Sequence, residues 1–135
     1  MNLTITTKYL GQLRTEATHL GSGNTLITDA PVDNNGRGET FSPTDLVAAA
    51  LGSCMLTIMG ITANRHKLNL EGTQIEIVKI MAANPRRIAE IILTFTMPDN
   101  GFNDMDRTLL ENAARTCPVA LSLSPDLIQT VIFNW

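Results

Sequence analysis

The sequence predicts an α+β protein forming one domain over residues 1–135, and three observations carry that prediction. Short alternating segments rich in Thr, Ile and Val, bounded by Gly, Asn and Pro, recur near both ends of the chain and read as strands. Between them Leu46 to Ala63 runs 18 residues without a charge, too long for a strand of ordinary length. After Asn103, Leu109, Leu110, Ala113 and Ala114 fall on one face at helical spacing. A length of 135 residues is one domain's worth at roughly 100 to 200 residues per domain. The composition, 44% hydrophobic but only 4% aromatic, asks for an interior of aliphatic and small side chains.

Taken in order, Thr4–Tyr9, Arg14–His19 and Asn24–Thr28 read as three short antiparallel strands punctuated by Gly11 and by Gly21-Ser22-Gly23. Ala30 to Thr40 is a loop whose Pro31, Asn34, Asn35, Gly36 and Gly38 favour turns, and it carries Arg37 and Glu39. A helix starts at Ser42-Pro43-Thr44-Asp45. Ser42 can cap, Pro43 suits the first helical position, and Asp45 completes a capping box and favours the positive end of the helix. The helix continues to about His66. Thr73–Met81 and Arg87–Met97 then form a strand hairpin broken by Asn84-Pro85. A second helix is capped by Asn103 or Asp104 and stops near Arg115 or Thr116. Cys117-Pro118-Val119 starts a short third helix, and Leu127–Phe133 is the last strand.

Charge and cysteine content narrow the function. Ten Lys plus Arg against thirteen Asp plus Glu give a net charge of -3 with no run of like sign, which offers no field for nucleic acid or anionic lipid. The N-terminal residues lack the basic-then-apolar pattern of a secretory signal, and two cysteines are too few for a disulfide-stapled scaffold, so a reducing cytoplasm is expected. Leu46 to Ala63 reaches the length of a membrane span. Its Gly52, Ser53, Thr57, Gly60 and Thr62 are read instead as the marks of a helix buried on all sides. The 24 positions from Pro43 to His66 span roughly 35 Å at 1.5 Å per residue. A rod that long and apolar needs more cover than one sheet of a short chain supplies, and a second subunit is inferred.

The cysteines, Cys54 and Cys117, carry the chemistry if any residues do. A free Cys behaves as a small hydrophobe, and Cys54, one helical turn from Ala50 and Ile58, fits that reading. Cys117 precedes Pro118 at a helix start, where unpaired N–H groups and the helix dipole favour a thiolate. At a free pKa near 8.5, only about 3% of a thiol is ionised at pH 7. Half ionisation needs a shift of about 1.5 units, roughly 2 kcal/mol, which one Arg contact can supply. Cys54 lies mid-helix beyond the dipole's reach, so Arg14 on a strand or Arg37 on the Gly-rich loop would have to serve it.

Ser42-Pro43-Thr44-Asp45-Leu46, Ala48-Ala49-Ala50-Leu51-Gly52-Ser53-Cys54 and Ala113-Ala114-Arg115-Thr116-Cys117-Pro118-Val119 together resemble the OsmC-like family of osmotically inducible and organic hydroperoxide resistance proteins. The resemblance covers nearly the whole chain in order. It implies an intertwined homodimer with antiparallel sheets wrapped around a long central cysteine-bearing helix. It also implies a thiol-dependent peroxidase acting on organic hydroperoxides: Cys54 is the peroxidatic residue, Cys117 resolves its sulfenic acid as a disulfide, and a dithiol reductant restores both. The Arg that holds the family's thiolate maps to Arg14, with Arg37 in reserve. The hydroperoxide-specific branch has a Glu directly after the helix-starting Pro, where this chain has Thr44. Asp45 is rotated about 100° from that position, and Glu39 is the nearest substitute.

No cofactor or metal is implied, since His19 and His66 lack ligand spacing and read as surface or helix-end residues. Arg86-Arg87 marks a solvated hairpin end, and Met55 and Met59 fill core. Two other functions fit the same residues: a dimer that binds a small hydrophobic ligand with its thiols inert, and a redox sensor that passes a disulfide state to a partner. Thiol reactivity in the folded protein separates them.

Overall fold

The computed structural model describes residues 1–135 as β1 (Ile5–Gly11), β2 (Arg14–His19), β3 (Thr25–Asp29), α1 (Pro43–Arg65), β4 (Gln74–Ala82), β5 (Arg87–Thr96), α2 (Asp104–Arg115), α3 (Pro118–Ser122) and β6 (Ile128–Asn134). Every element read from the sequence is present, its ends displaced by a residue or two. The contacts of the chain divide into two units, Met1–Val47 and Ala48–Trp135. α1 begins in the first and runs through the second.

In the first unit β1, β2 and β3 form an antiparallel sheet in that order. β1 turns into β2 through Gln12 and Leu13, both left-handed, as a two-residue turn must be to match the twist of its strands. The turn at Gly21-Ser22-Gly23 sets the β2–β3 register, pairing Thr18 with Thr25, Thr15 with Thr28 and Arg14 with Asp29. The loop that follows contains a 3-10 turn at Val32–Asn34. Gly36 is obligatory in it, because a Cβ there would stand 1.7 Å from the Ala30 carbonyl oxygen. At the start of α1, Ser42 Oγ accepts from Asp45 N–H at 3.1 Å and Asp45 Oδ2 accepts from Ser42 N–H at 2.9 Å, the reciprocal capping box read from the sequence.

In the second unit β4 and β5 are antiparallel, and β6 lies parallel to β5. The resemblance implied antiparallel sheets, and this ladder departs from that. A parallel neighbour requires a long crossover, and α2 and α3 fill it. β5 alternates, burying Ile91, Leu93 and Phe95 completely. Against this sheet α1 contributes Leu51, Met55, Met59 and Ala63. Gly52 permits the close approach: a Cβ there would come 2.8 Å from Ile77 Cδ1 and 3.5 Å from Ile75 Cδ1 and Leu93 Cδ2. α2 closes the core with Leu110 and Ala114 and starts at a capping box between Asn103 and Asp106. α1 is not buried on all sides. Its most apolar 18-residue window has a mean hydropathy of 2.0, yet only 33% of that window is buried within one chain.

Candidate active site

The second unit brings the two cysteines together. Cys54 is half-buried, twelve residues into a 23-residue helix with a full turn of backbone bonds on either side. Cys117 is fully buried at the N-cap of α3 with extended backbone, and its Sγ accepts from Ala120 N–H at 3.4 Å. Pro118 fixes that geometry by holding the first residue of the helix in helical φ while offering no N–H of its own. Both thiols are free and they interact.

The protonation of Cys117 differs from the sequence expectation. Burial pushes its thiol up, outweighing the bonds from Ala120 and Val119 N–H that favour the thiolate, and the neighbouring Cys54 pushes it further in the same direction. The helix terminus does point N–H groups at the sulfur, as expected. Desolvation of the charged form is the larger effect, and Cys117 is held as a protonated thiol.

Arg14 sits in the first unit, within a charge cluster that the sequence only partly disclosed. Its Nε donates to Asp29 Oδ1 and its Nη2 to Asp29 Oδ2, both at 2.8 Å, and Nη2 also donates to Glu39 Oε2 at 2.8 Å. Glu39 N–H donates to Asp29 Oδ2 at 3.2 Å. Asp29 is 0% exposed, and hydrogen bonds from Arg14 hold its carboxyl below the usual carboxylate range against the opposing effect of burial, with Arg37 adding a favourable field. Glu39 pairs with Arg14 through Nη2 alone. Asp45 is engaged in the helix cap. Asp29 is the residue the sequence reading missed. Its signal was register: a hairpin centred on Gly21 and Ser22 places position 29 opposite position 14.

The isolated histidines have local partners, His19 Nδ1 with Ser22 Oγ at 2.7 Å and His66 Nδ1 with the Thr62 carbonyl at 2.9 Å.

The family model described as OsmC-like protein matches residues 36–130. The chain belongs to the OsmC-like family. Among solved structures, a candidate osmotic stress induced and detoxification response protein from Psychrobacter arcticus 273-4 is 48% identical, with 99% of this chain and 97% of that chain covered and a TM-score of 0.95. An organic hydroperoxide resistance protein OsmC from Legionella pneumophila shares 19% identity over 98% of each chain at a TM-score of 0.77. A candidate organic hydroperoxide resistance protein from Vibrio cholerae, with captopril bound in one of its active sites, shares 16% over 99% of this chain and 92% of that one at 0.76. At these lower identities the OsmC-like fold is what is shared. A search of curated proteins finds no match. This OsmC-like chain carries two free cysteines, Cys54 and Cys117, and an Arg14–Glu39 pair whose Glu comes from the loop before α1.

Proposed function

We propose that the protein is a cytoplasmic thiol-dependent peroxidase that reduces organic hydroperoxides to alcohols and works as a homodimer. The observation that carries this reading is the pairing of a half-buried Cys54 with a fully buried Cys117 whose thiol burial pushes up. Two thiols of unequal exposure divide the labour that a two-electron reduction needs.

In the first step the Cys54 thiolate attacks the distal oxygen of the hydroperoxide. An S–O bond forms as the O–O bond breaks, the organic alkoxide leaves and takes up a proton, and Cys54 becomes a sulfenic acid. In the second step the Cys117 sulfur, giving up its proton, attacks the Cys54 sulfur. The S–S bond forms and hydroxide leaves with that proton as water. A dithiol reductant exchanges with the disulfide and is itself oxidised. Arg14 is assigned as the cation that favours the Cys54 thiolate, supported by its anchored guanidinium.

The homodimer is supported by apolar surface that one chain leaves open. Ala50, Ser53, Thr57 and Ile61 recur along an exposed stripe of α1, and Ile5, Leu10, Leu13, Leu26 and Phe41 are exposed in the first unit. Small residues along such a stripe let a twin helix approach closely.

Reduced protein mixed with cumene hydroperoxide should lose both thiols within minutes, release cumyl alcohol in stoichiometric amount and sediment at twice the 14.7 kDa chain mass. Retention of both thiols would reject the peroxidase and leave a ligand-binding dimer as the better reading. Oxidation that no dithiol reverses would favour a sensor.

A further inference from the structure

We propose that Asp29 is a positioning residue that anchors Arg14, and that Glu39 is an exchangeable partner which the anion served by Arg14 displaces. This rests on the role given to Arg14 above. The two carboxylates meet the same guanidinium under opposite conditions. Asp29 is 0% exposed, lies directly across the β2–β3 ladder from Arg14, and takes both Nε and Nη2 in a bidentate pair at 2.8 Å. Two parallel bonds fix the plane of a guanidinium as well as its position. Asp29 also receives Glu39 N–H, so it organises the loop as well as the arginine.

Glu39 holds Nη2 through a single bond, and its side chain is 63% exposed. An exposed single contact is worth little in water and exchanges readily. Nη2 therefore has one partner fixed by the strand register and a second on an open loop. Glu39 holds an Nη2 N–H that an incoming anion takes on displacing it, and the Asp29 pair keeps Arg14 in position when Glu39 leaves.

The signs of two neutralising substitutions separate this arrangement from simple electrostatics. Removing any nearby negative charge should favour a thiolate through space. If Glu39 competes for Arg14, Glu39→Gln obeys that rule and speeds the reaction of Cys54. If Asp29 aims Arg14, Asp29→Asn breaks it: a negative charge is lost and yet Cys54 becomes less reactive, because the guanidinium is no longer held.

The test is the pH profile of iodoacetamide alkylation at Cys54, followed by mass spectrometry of its peptide in the full-length reduced protein, with circular dichroism to confirm folding. Arg14→Met and Asp29→Asn should both move the profile to higher pH, by about tenfold in rate at pH 7 for a one-unit displacement. Glu39→Gln should move it to lower pH. A folded Asp29→Asn protein with an unchanged or faster profile overturns the anchoring role while Arg14→Met keeps its effect. An Arg14→Met protein with an unchanged profile overturns the role of Arg14 itself, and the inference with it. Glu39 is exposed, so its variant reads out even where Asp29→Asn does not fold, and a slowed Glu39→Gln protein overturns the proposal.

Discussion

The two units bury opposite kinds of side chain. In Met1–Val47 the buried residues are Thr28, Asp29 and Ser42, all polar, and every buried hydrophobic residue of the chain belongs to Ala48–Trp135. The first unit places a cation by pairing it: Arg14 is held by the oxygens of Asp29 and Glu39. The second places thiols by packing: Cys54 lies on α1, which approaches the sheet closely at Gly52 beside Leu93, and Cys117 is fully buried at the start of α3. The two halves of the proposed chemistry therefore depend on different physics. The cation should respond to charge and register, the thiols to volume and desolvation.

Damage to the apolar unit gives the largest effect. Phe95, fully buried and stacked on Phe133 at 4.7 Å, should cost about 3–5 kcal/mol as Ala. Urea unfolding measures this, and a loss under about 1 kcal/mol would mean that Phe95 is not part of the core that holds the second unit together. The uncovered stripe of α1 comes next. Thr57→Arg should leave the chain folded, because Thr57 is exposed, while weakening dimerisation at least about tenfold in sedimentation. An unchanged dimer would remove that stripe from the interface.

Titration should separate the units by the direction in which each fails. Asp29 has a depressed folded pKa. Its contribution is present above the ordinary carboxylate value near 3.9 and is lost as pH falls through the folded value, so acid should first release amide protection in β2 and β3. Cys117 has a raised folded pKa. Its contribution is complete below the ordinary thiol value near 8.5 and is lost as pH rises through the folded value, so alkali should first loosen α3. Hydrogen exchange at both extremes checks the pair. Cys117→Ala should abolish the alkaline loss, and its persistence would assign that loss to another group. The smallest effect is Asn103→Ala at the α2 cap, about 1 kcal/mol in thermal unfolding with no change in the pH response of either unit.

The legibility of the fold followed from local signals. Ser42 to Asp45 declared the start of α1 because a capping box is satisfied by residues three apart, and the same holds for Asn103 and Asp106. β4 shows in its Ile and Val content and β5 in its Ile-rich alternation. The parallel placement of β6 did not show, because no residue of Ile128–Asn134 encodes which neighbour it will find. Asp29 was hidden for a related reason: its significance lies in a partner fifteen positions away, and only the register connects them.

Class, element order, nearly all element ends and the separate helix settings of the two cysteines are written in the chain. These depend on periodicity, capping and turn chemistry, which act over a few residues. The tertiary structure decided what those residues experience. The sequence sets Cys117 at a helix start that favours a thiolate, yet in the fold burial pushes the thiol up, because desolvation depends on everything packed around it and exceeds the pull of the local N–H groups. The sequence offers Arg14 as a cation for Cys54 without naming a partner for it, and the fold anchors it on Asp29, because a buried carboxylate requires a partner and the strand register supplies one.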